Sequence, residues 1–166
     1  MTGQPSGQFL IRPAQVADVD RIAAFQVALA FETEEHTLDA ETVRDGVAAV
    51  LSRDVGAAYL VAVVDGEPIA SLMTTSEWSD WRNGRLVWLQ SVYVLPVHRR
   101  RGVFARMFET VLADCERDPE VVGIRLYHEV RNERAIATYR RLGMTSPGYG
   151  VMERLFDRSS VGAGGP

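Results

Sequence analysis

Cysteine is almost missing: Cys115 stands alone in 166 residues, so no internal disulfide can form. No group of Cys and His has the spacing of a zinc site, and no metal is expected. No apolar run approaches the roughly 18 residues of a membrane span. Residues 1–8, MTGQPSGQ, are polar and lack the apolar core of a secretory signal. Positive charge is in short supply: Lys+Arg 18 against Asp+Glu 22 gives a net charge of −4. That argues against a generally basic nucleic-acid binder. Neither G-x-x-x-x-G-K-[ST] nor G-x-G-x-x-G occurs, which leaves a P-loop NTPase and a Rossmann dinucleotide site without support. The expectation is a cytoplasmic enzyme or binding domain with neither a membrane nor a nucleic acid as partner.

Apolar residues make up 46% of the chain and charged residues 24%, as in ordinary globular proteins. The length suits one domain. Residues 1–8 and 157–166 are rich in Gly, Pro and Ser and read as tails, leaving 9–156 as the domain. Residues 9–12 read as a short strand ended by Pro13. Val19, Ile22, Ala23, Gln26, Leu29 and Ala30 recur at helical spacing. Residues 31–36 read as a polar break, and Asp39 as the N-cap of a second helix with Val43, Val47, Val50 and Leu51 on one face. Two apolar runs, 58–64 and 69–75, flank Asp65-Gly66, a strong hairpin signal. After a turn at 80–84, residues 86–94 are apolar on both alternating faces, which predicts a strand covered on both sides. A helix over 102–117, a strand over 122–127, a helix over 133–142 stopped by Gly143 and a strand over 149–156 complete the order. The pattern is a mixed sheet with helices on it, α/β or α+β.

The chemistry concentrates where the strand at 86–94 passes through Pro96 and Arg99-Arg100-Arg101-Gly102 into the next helix. Loop amides and the first helical turn make an anion site, and three arginines beside it suit phosphate. The plain alternative is a helix start with solvated arginines. In a second segment, Asn132 precedes a helix as an N-cap can, with Ala135 and Ile136 small or apolar nearby. Tyr139 lies two turns further along the same face. Here the plain alternative is a capped helix with a half-buried Tyr.

Taken together, the segments resemble the GNAT N-acetyltransferase superfamily. Its phosphate motif, (Gln/Arg)-x-x-Gly-x-(Gly/Ala), is matched by Arg99 and Gly102, with Phe104 departing at the last small position and Ala105 beside it. Its later motif, Asn-x-x-Ala-x-x-x-Tyr-x-x-x-Gly-Phe, is matched by Asn132, Ala135, Tyr139 and Gly143, with Met144 in place of Phe. The resemblance implies a mixed, mostly antiparallel sheet with a central, splayed parallel strand pair flanked by helices. It implies acetyl-coenzyme A as cosubstrate, with Val92, Tyr93 and Val94 along the pantetheine arm. Arg99, Arg100, Arg101, Gly102, Val103, Phe104 and Ala105 would surround the pyrophosphate, and Asn132, Ala135 and Tyr139 would complete the cofactor contacts. In this reading the Val92 N–H stabilises the developing oxyanion and Tyr139 protonates the leaving thiolate.

The general base is the open point, because the central strand offers only Gln90 and Ser91. Glu32, Glu34, Glu35 and Glu129 are the candidates, Glu34 first among them, and His36, His98 and His128 fit less well. Glu32, Glu35, Gln90, Glu129 and Trp78 are also candidates for the acceptor wall. A solvated acidic loop is the plain reading of residues 32–35. Two Trp, 78 and 81, fall at a hairpin turn, where packing or a homodimer contact is the simple reading. The expected acceptor is a primary amine of a small molecule or a peptide. A non-catalytic acyl-coenzyme A-binding domain is the main alternative, supported by the missing carboxylate on the central strand. A toxin-like acetyltransferase of charged tRNA is a third, against which the net acidity argues.

Overall fold

The computed structural model describes residues 9–128 and 132–156. The chain divides into two compact units, Met1–Tyr127 and His128–Pro166. In the first unit β1 (Leu10–Pro13), α1 (Val19–Glu34), α2 (Ala40–Ser52), β2 (Ala57–Val64), β3 (Glu67–Ser79), β4 (Gly84–Val94), α3 (Val103–Arg117) and β5 (Val121–Leu126) follow one another. The sheet order is β1-β2-β3-β4-β5. All pairings are antiparallel except β4–β5, which is parallel and joined through α3. The expected mixed sheet with a parallel pair is thus present, β5 being its outer strand among the described residues.

Local chemistry explains the boundaries. Asp39 Oδ2 accepts a hydrogen bond from Thr42 N at 2.8 Å and starts α2. Asp65 and Gly66 both adopt left-handed φ, 50° and 87°, the two-residue turn whose twist suits β2 and β3. Gly84 permits the close start of β5: a Cβ there would lie 2.3 Å from Val122 Cγ1 and 2.9 Å from the Glu120 carbonyl. α1 and α2 pack on the face of β2 carrying Tyr59, Val61 and Val63, burying Val19, Ile22, Ala23 and Val47. Val61 and its neighbour Ala62 are both fully buried. Successive strand residues point to opposite faces, so the sheet is covered on both. The second face falls to α3, which lies against β2–β5 and buries Val103, Met107, Phe108 and Val111.

Two expectations need correction. The polar break expected over residues 31–36 begins too early, because α1 continues to Glu34 and ends with Glu35 in the left-handed conformation. Glu and Thr on an exposed last turn carry no apolar stripe, so periodicity alone missed the turn. Residues 149–156, expected as a strand, form no regular element and are exposed. Alternation licenses a strand only where a partner edge receives it. In the second unit the described helix is α4 (Glu133–Arg141). Among the described residues no helix is long and apolar enough to cross a membrane.

An ion pair ties β1 to the start of α1. Arg12 Nη1 and Nη2 donate to Asp18 Oδ2 and Oδ1 at 2.7 and 3.0 Å, and Gln15 N donates to Oδ2 at 2.7 Å. Asp18 is buried, and the Arg12 hydrogen bonds, opposed by desolvation, hold its carboxyl below the usual range. A depressed folded pKa contributes stability above the unfolded value near 3.9, and that stability is lost as pH falls through the folded value. Asp18→Asn is expected to cost about 2 kcal/mol at pH 7. Urea midpoints measured from pH 7 downwards should converge below about pH 4, as the wild-type advantage disappears.

Candidate functional site

The site in the first unit begins with an irregularity in β4. Ala70 pairs with Val94 and Ser71 with Tyr93, but Met73 pairs with Gln90. Leu72 therefore faces two residues, Ser91 and Val92, and Ser91 adopts φ 51°. This is a bulge, which bends a strand and turns its backbone groups. On the other edge of β4, pairing to β5 runs from Arg85↔Val121 to Leu89↔Leu126 and stops. Along Gln90–Val94 that edge has no β5 partner, the arrangement in which an extended ligand can add as a strand.

β4 feeds directly into the arginine loop. After a 3-10 turn over Pro96–His98, Arg100 and Gly102 take left-handed φ values of 64° and 77°, and α3 starts at Val103. A Cβ on Gly102 would meet nothing within 4 Å, so its φ rather than space calls for glycine. The first amides of α3 have no acceptor within the helix and point out of its N-terminus. With the turned loop amides they form a concavity suited to an anion. Arg100 and Arg101 are exposed beside it and make no ion pair among the described residues. Phe104, at the motif's small position, packs its ring 6.2 Å from that of Phe108.

Arg99 is committed elsewhere. Its Nε donates to the Val94 carbonyl at 2.8 Å and its Nη2 to Glu32 Oε2 at 2.6 Å. Tyr93 donates from its hydroxyl to Glu32 Oε1 at 2.8 Å, and the guanidinium lies 5.4 Å from the Tyr93 ring centroid. Burial pushes the Glu32 carboxyl up, but the hydrogen bonds from Arg99 and Tyr93 outweigh it and hold the group below its ordinary value. Burial raises the Tyr93 phenol, and its bond to the Glu32 carboxylate raises it further. Glu32, expected at the acceptor wall, is thus occupied in holding the end of α1 to the loop.

Beside the bulge lies a cavity of about 460 Å³. α1 contributes Gln26, Leu29, Ala30, Thr33 and Glu34 to it, and α2 contributes Val43, Gly46, Val47 and Val50. Leu38 from the connection and Tyr59, Met73 and Ser91 from the sheet complete the wall. Gln26 Nε2 lies 3.4 Å from both Ser71 Oγ and the Ser91 carbonyl, tying α1 to the bulge. Burial raises the Tyr59 phenol, partly offset by its hydrogen bond with Ser91. Glu34 is exposed and forms no ion pair among the described residues. The neighbouring Glu35 is exposed as the cap of α1.

In the second unit Asn132 Oδ1 accepts from Ala135 N at 3.0 Å, the expected cap of α4. Tyr139 is half-buried, its ring centroid 6.3 Å from that of His128. Desolvation raises its phenol above the ordinary value. Gly143, with φ 83°, closes the helix, Met144 N donating to the Tyr139 carbonyl at 3.0 Å.

Among the remaining candidates, Gln90 donates to Thr75 Oγ1 at 2.8 Å on β3. Trp78 and Trp81 are exposed, so neither packs in the core. Trp88 stacks on Tyr127 with centroids 4.4 Å apart, and its Nε1 donates to Glu77 Oε2 at 2.6 Å. Glu129 lies outside the described residues. Sequence reasoning missed Ser91, Gln26 and the α2 side of the cavity. The pair Gln90-Ser91 interrupting an apolar strand was the available signal for the bulge.

The model of the Acetyltransferase (GNAT) family matches residues 21–144. An N-alpha-acetyltransferase of Saccharolobus solfataricus is 27% identical over 143 residues, covering 81% of this chain and 78% of that protein. A structure described as a possible acetyltransferase from Clostridium difficile 630 has a TM-score of 0.82 and 41% identity, covering 90% of this chain and 98% of the other. The fold is also that of a ribosomal-protein-alanine N-acetyltransferase from Brucella melitensis, at TM-score 0.71 and 18% identity over 90% of this chain and 100% of that one.

A double-mutant cycle on Glu32→Gln and Arg99→Gln, measured by urea unfolding, is expected to return a coupling of about 1 kcal/mol. Strict additivity would mean that Arg99 does not depend on Glu32 and is available to an anion.

Proposed function

The chain belongs to the Acetyltransferase (GNAT) family, and we propose that it transfers an acetyl group from acetyl-coenzyme A directly to a primary amine of a small molecule or peptide. The observation that carries this reading is the continuity between the edge of β4 left without a β5 partner over Gln90–Val94 and the left-handed φ values of Arg100 and Gly102 at the start of α3. The residues present fit the cosubstrate. Amides from Arg100 to Ala105 and the side chains of Arg100 and Arg101 offer donors and positive charge to a pyrophosphate. The backbone of Val92, Tyr93 and Val94 offers strand-like pairing to an amide-bearing arm. Acetyl-coenzyme A supplies the activated acyl group as a thioester.

Each remaining step is assigned to the protein's own groups. The Val92 N–H is placed in the role of stabilising negative charge on the acetyl oxygen during attack. Tyr139 serves as proton donor to the leaving sulfur; burial raises its pKa, so it holds its proton throughout the neutral range. Asn132 already spends its side-chain oxygen on the cap of α4, which leaves its NH₂ as the group for a ligand. Glu34 is the candidate to receive the proton of an incoming ammonium. The same reading includes a cytoplasmic location, no nucleic-acid partner and no resident metal. A homodimer would use the exposed Trp78 and Trp81 hairpin.

Incubation with acetyl-coenzyme A and a panel of amines, following release of free thiol, tests the activity. Heat on cofactor titration without turnover of any amine would favour a binding domain. Tyr139→Phe is expected to lower kcat about 100-fold, while the calorimetric Kd for acetyl-coenzyme A stays within about twofold. Loss of the proton at high pH removes the donor, so the alkaline fall in kcat due to Tyr139 belongs above about pH 10. Unchanged turnover in Tyr139→Phe would remove the residue from the mechanism.

A further inference from the structure

The cavity beside the bulge carries an inference about the acceptor, one that rests on the transferase reading. Its wall is chiefly aliphatic, with Leu29, Leu38, Val43 and Val50 along the helices and Met73 on the sheet. Among the described residues Glu34 is the only carboxylate in that wall. The cavity adjoins Ser91, the bulge residue next to the proposed oxyanion donor Val92. A volume of about 460 Å³ lies in the range of small-molecule sites, about 300–1,000 Å³.

Gly46 adds an independent observation. It occupies the interior of α2, where glycine costs roughly 0.5–1 kcal/mol relative to alanine. It has ordinary helical φ, and a Cβ there would meet nothing within 4 Å. Neither backbone conformation nor crowding therefore calls for glycine. Gly46 is exposed and belongs to the cavity wall, so a large side chain there would compete with an occupant for the space.

We propose that this cavity receives the body of the acceptor, a small primary amine bearing a compact branched-aliphatic or aromatic group, with Glu34 drawing in its ammonium. A polyhydroxylated amine would lose water at the aliphatic wall without regaining hydrogen bonds. An extended polyamine would bring several charges to a wall with one carboxylate.

The test uses the full chain with saturating acetyl-coenzyme A and four amines: 2-phenylethylamine, isopentylamine, ethanolamine and spermidine. The apolar pair is expected to show kcat/KM at least about tenfold above the polar pair. Gly46→Leu puts a bulky side chain on the cavity wall while improving helix propensity, and folding is checked by circular dichroism. It is expected to raise the KM for 2-phenylethylamine about tenfold, with the acetyl-coenzyme A Kd from calorimetry within about twofold of wild type. Glu34→Gln should raise KM for both apolar amines. Equal turnover of all four amines, failure of the apolar pair despite cofactor binding, or indifference to Gly46→Leu would each overturn this inference and leave the transferase reading standing. Absence of cofactor heat together with absence of thiol release would remove both.

Discussion

The architecture of the first unit turns on one backbone constraint: Ser91 sits in left-handed φ within an otherwise regular strand. A non-glycine residue there costs on the order of 1 kcal/mol and persists only when its surroundings hold it. Those surroundings are identifiable. Leu72 opposes the bulge from β3, and Gln26 reaches the Ser91 carbonyl from α1. The bulge separates two different halves of β4. Before it, the strand is paired on both edges; after it, the β5 edge stops. The cavity opens where the two halves meet.

Glu32, Tyr93 and Arg99 form the complementary element. One carboxylate joins the last turn of α1, a buried phenol of β4 and the first arginine of the loop. The same turn of α1 carries Thr33 and Glu34 to the cavity. The elements that would hold an anion and an ammonium therefore share a single hydrogen-bonded strut. Of three consecutive arginines, Arg99 is held by Glu32, while Arg100 and Arg101 are exposed and make no ion pair among the described residues.

Local patterns made most elements legible. The Asp39 cap, the Asp65-Gly66 turn, the apolar strand before Pro96 and the Gly143 stop are each written within a few residues, and each occurs where expected. The family resemblance, carried by Arg99, Gly102, Asn132, Ala135, Tyr139 and Gly143, agreed with the comparisons. What escaped depends on distant partners. Arg99 and Glu32 are 67 positions apart, and nothing near either announces the other. The last turn of α1 lacks an apolar stripe because it is exposed. The alternation of residues 149–156 encoded a possibility of pairing without supplying an edge. The cavity wall includes Gly46, a residue without a side chain, which periodicity analysis skips over.

Arg100 has a consequence for any attempt to make this protein hardier. It holds left-handed φ at 64°, a conformation glycine adopts freely. Replacing it with glycine would relieve backbone strain and also delete a cation at the mouth of the anion concavity. The backbone would rest easier with glycine, and under the proposed cofactor reading glycine would serve the pyrophosphate worse. Selection for heat resistance alone would push this position toward glycine, and under the proposed function selection for turnover at scarce cofactor would push it back.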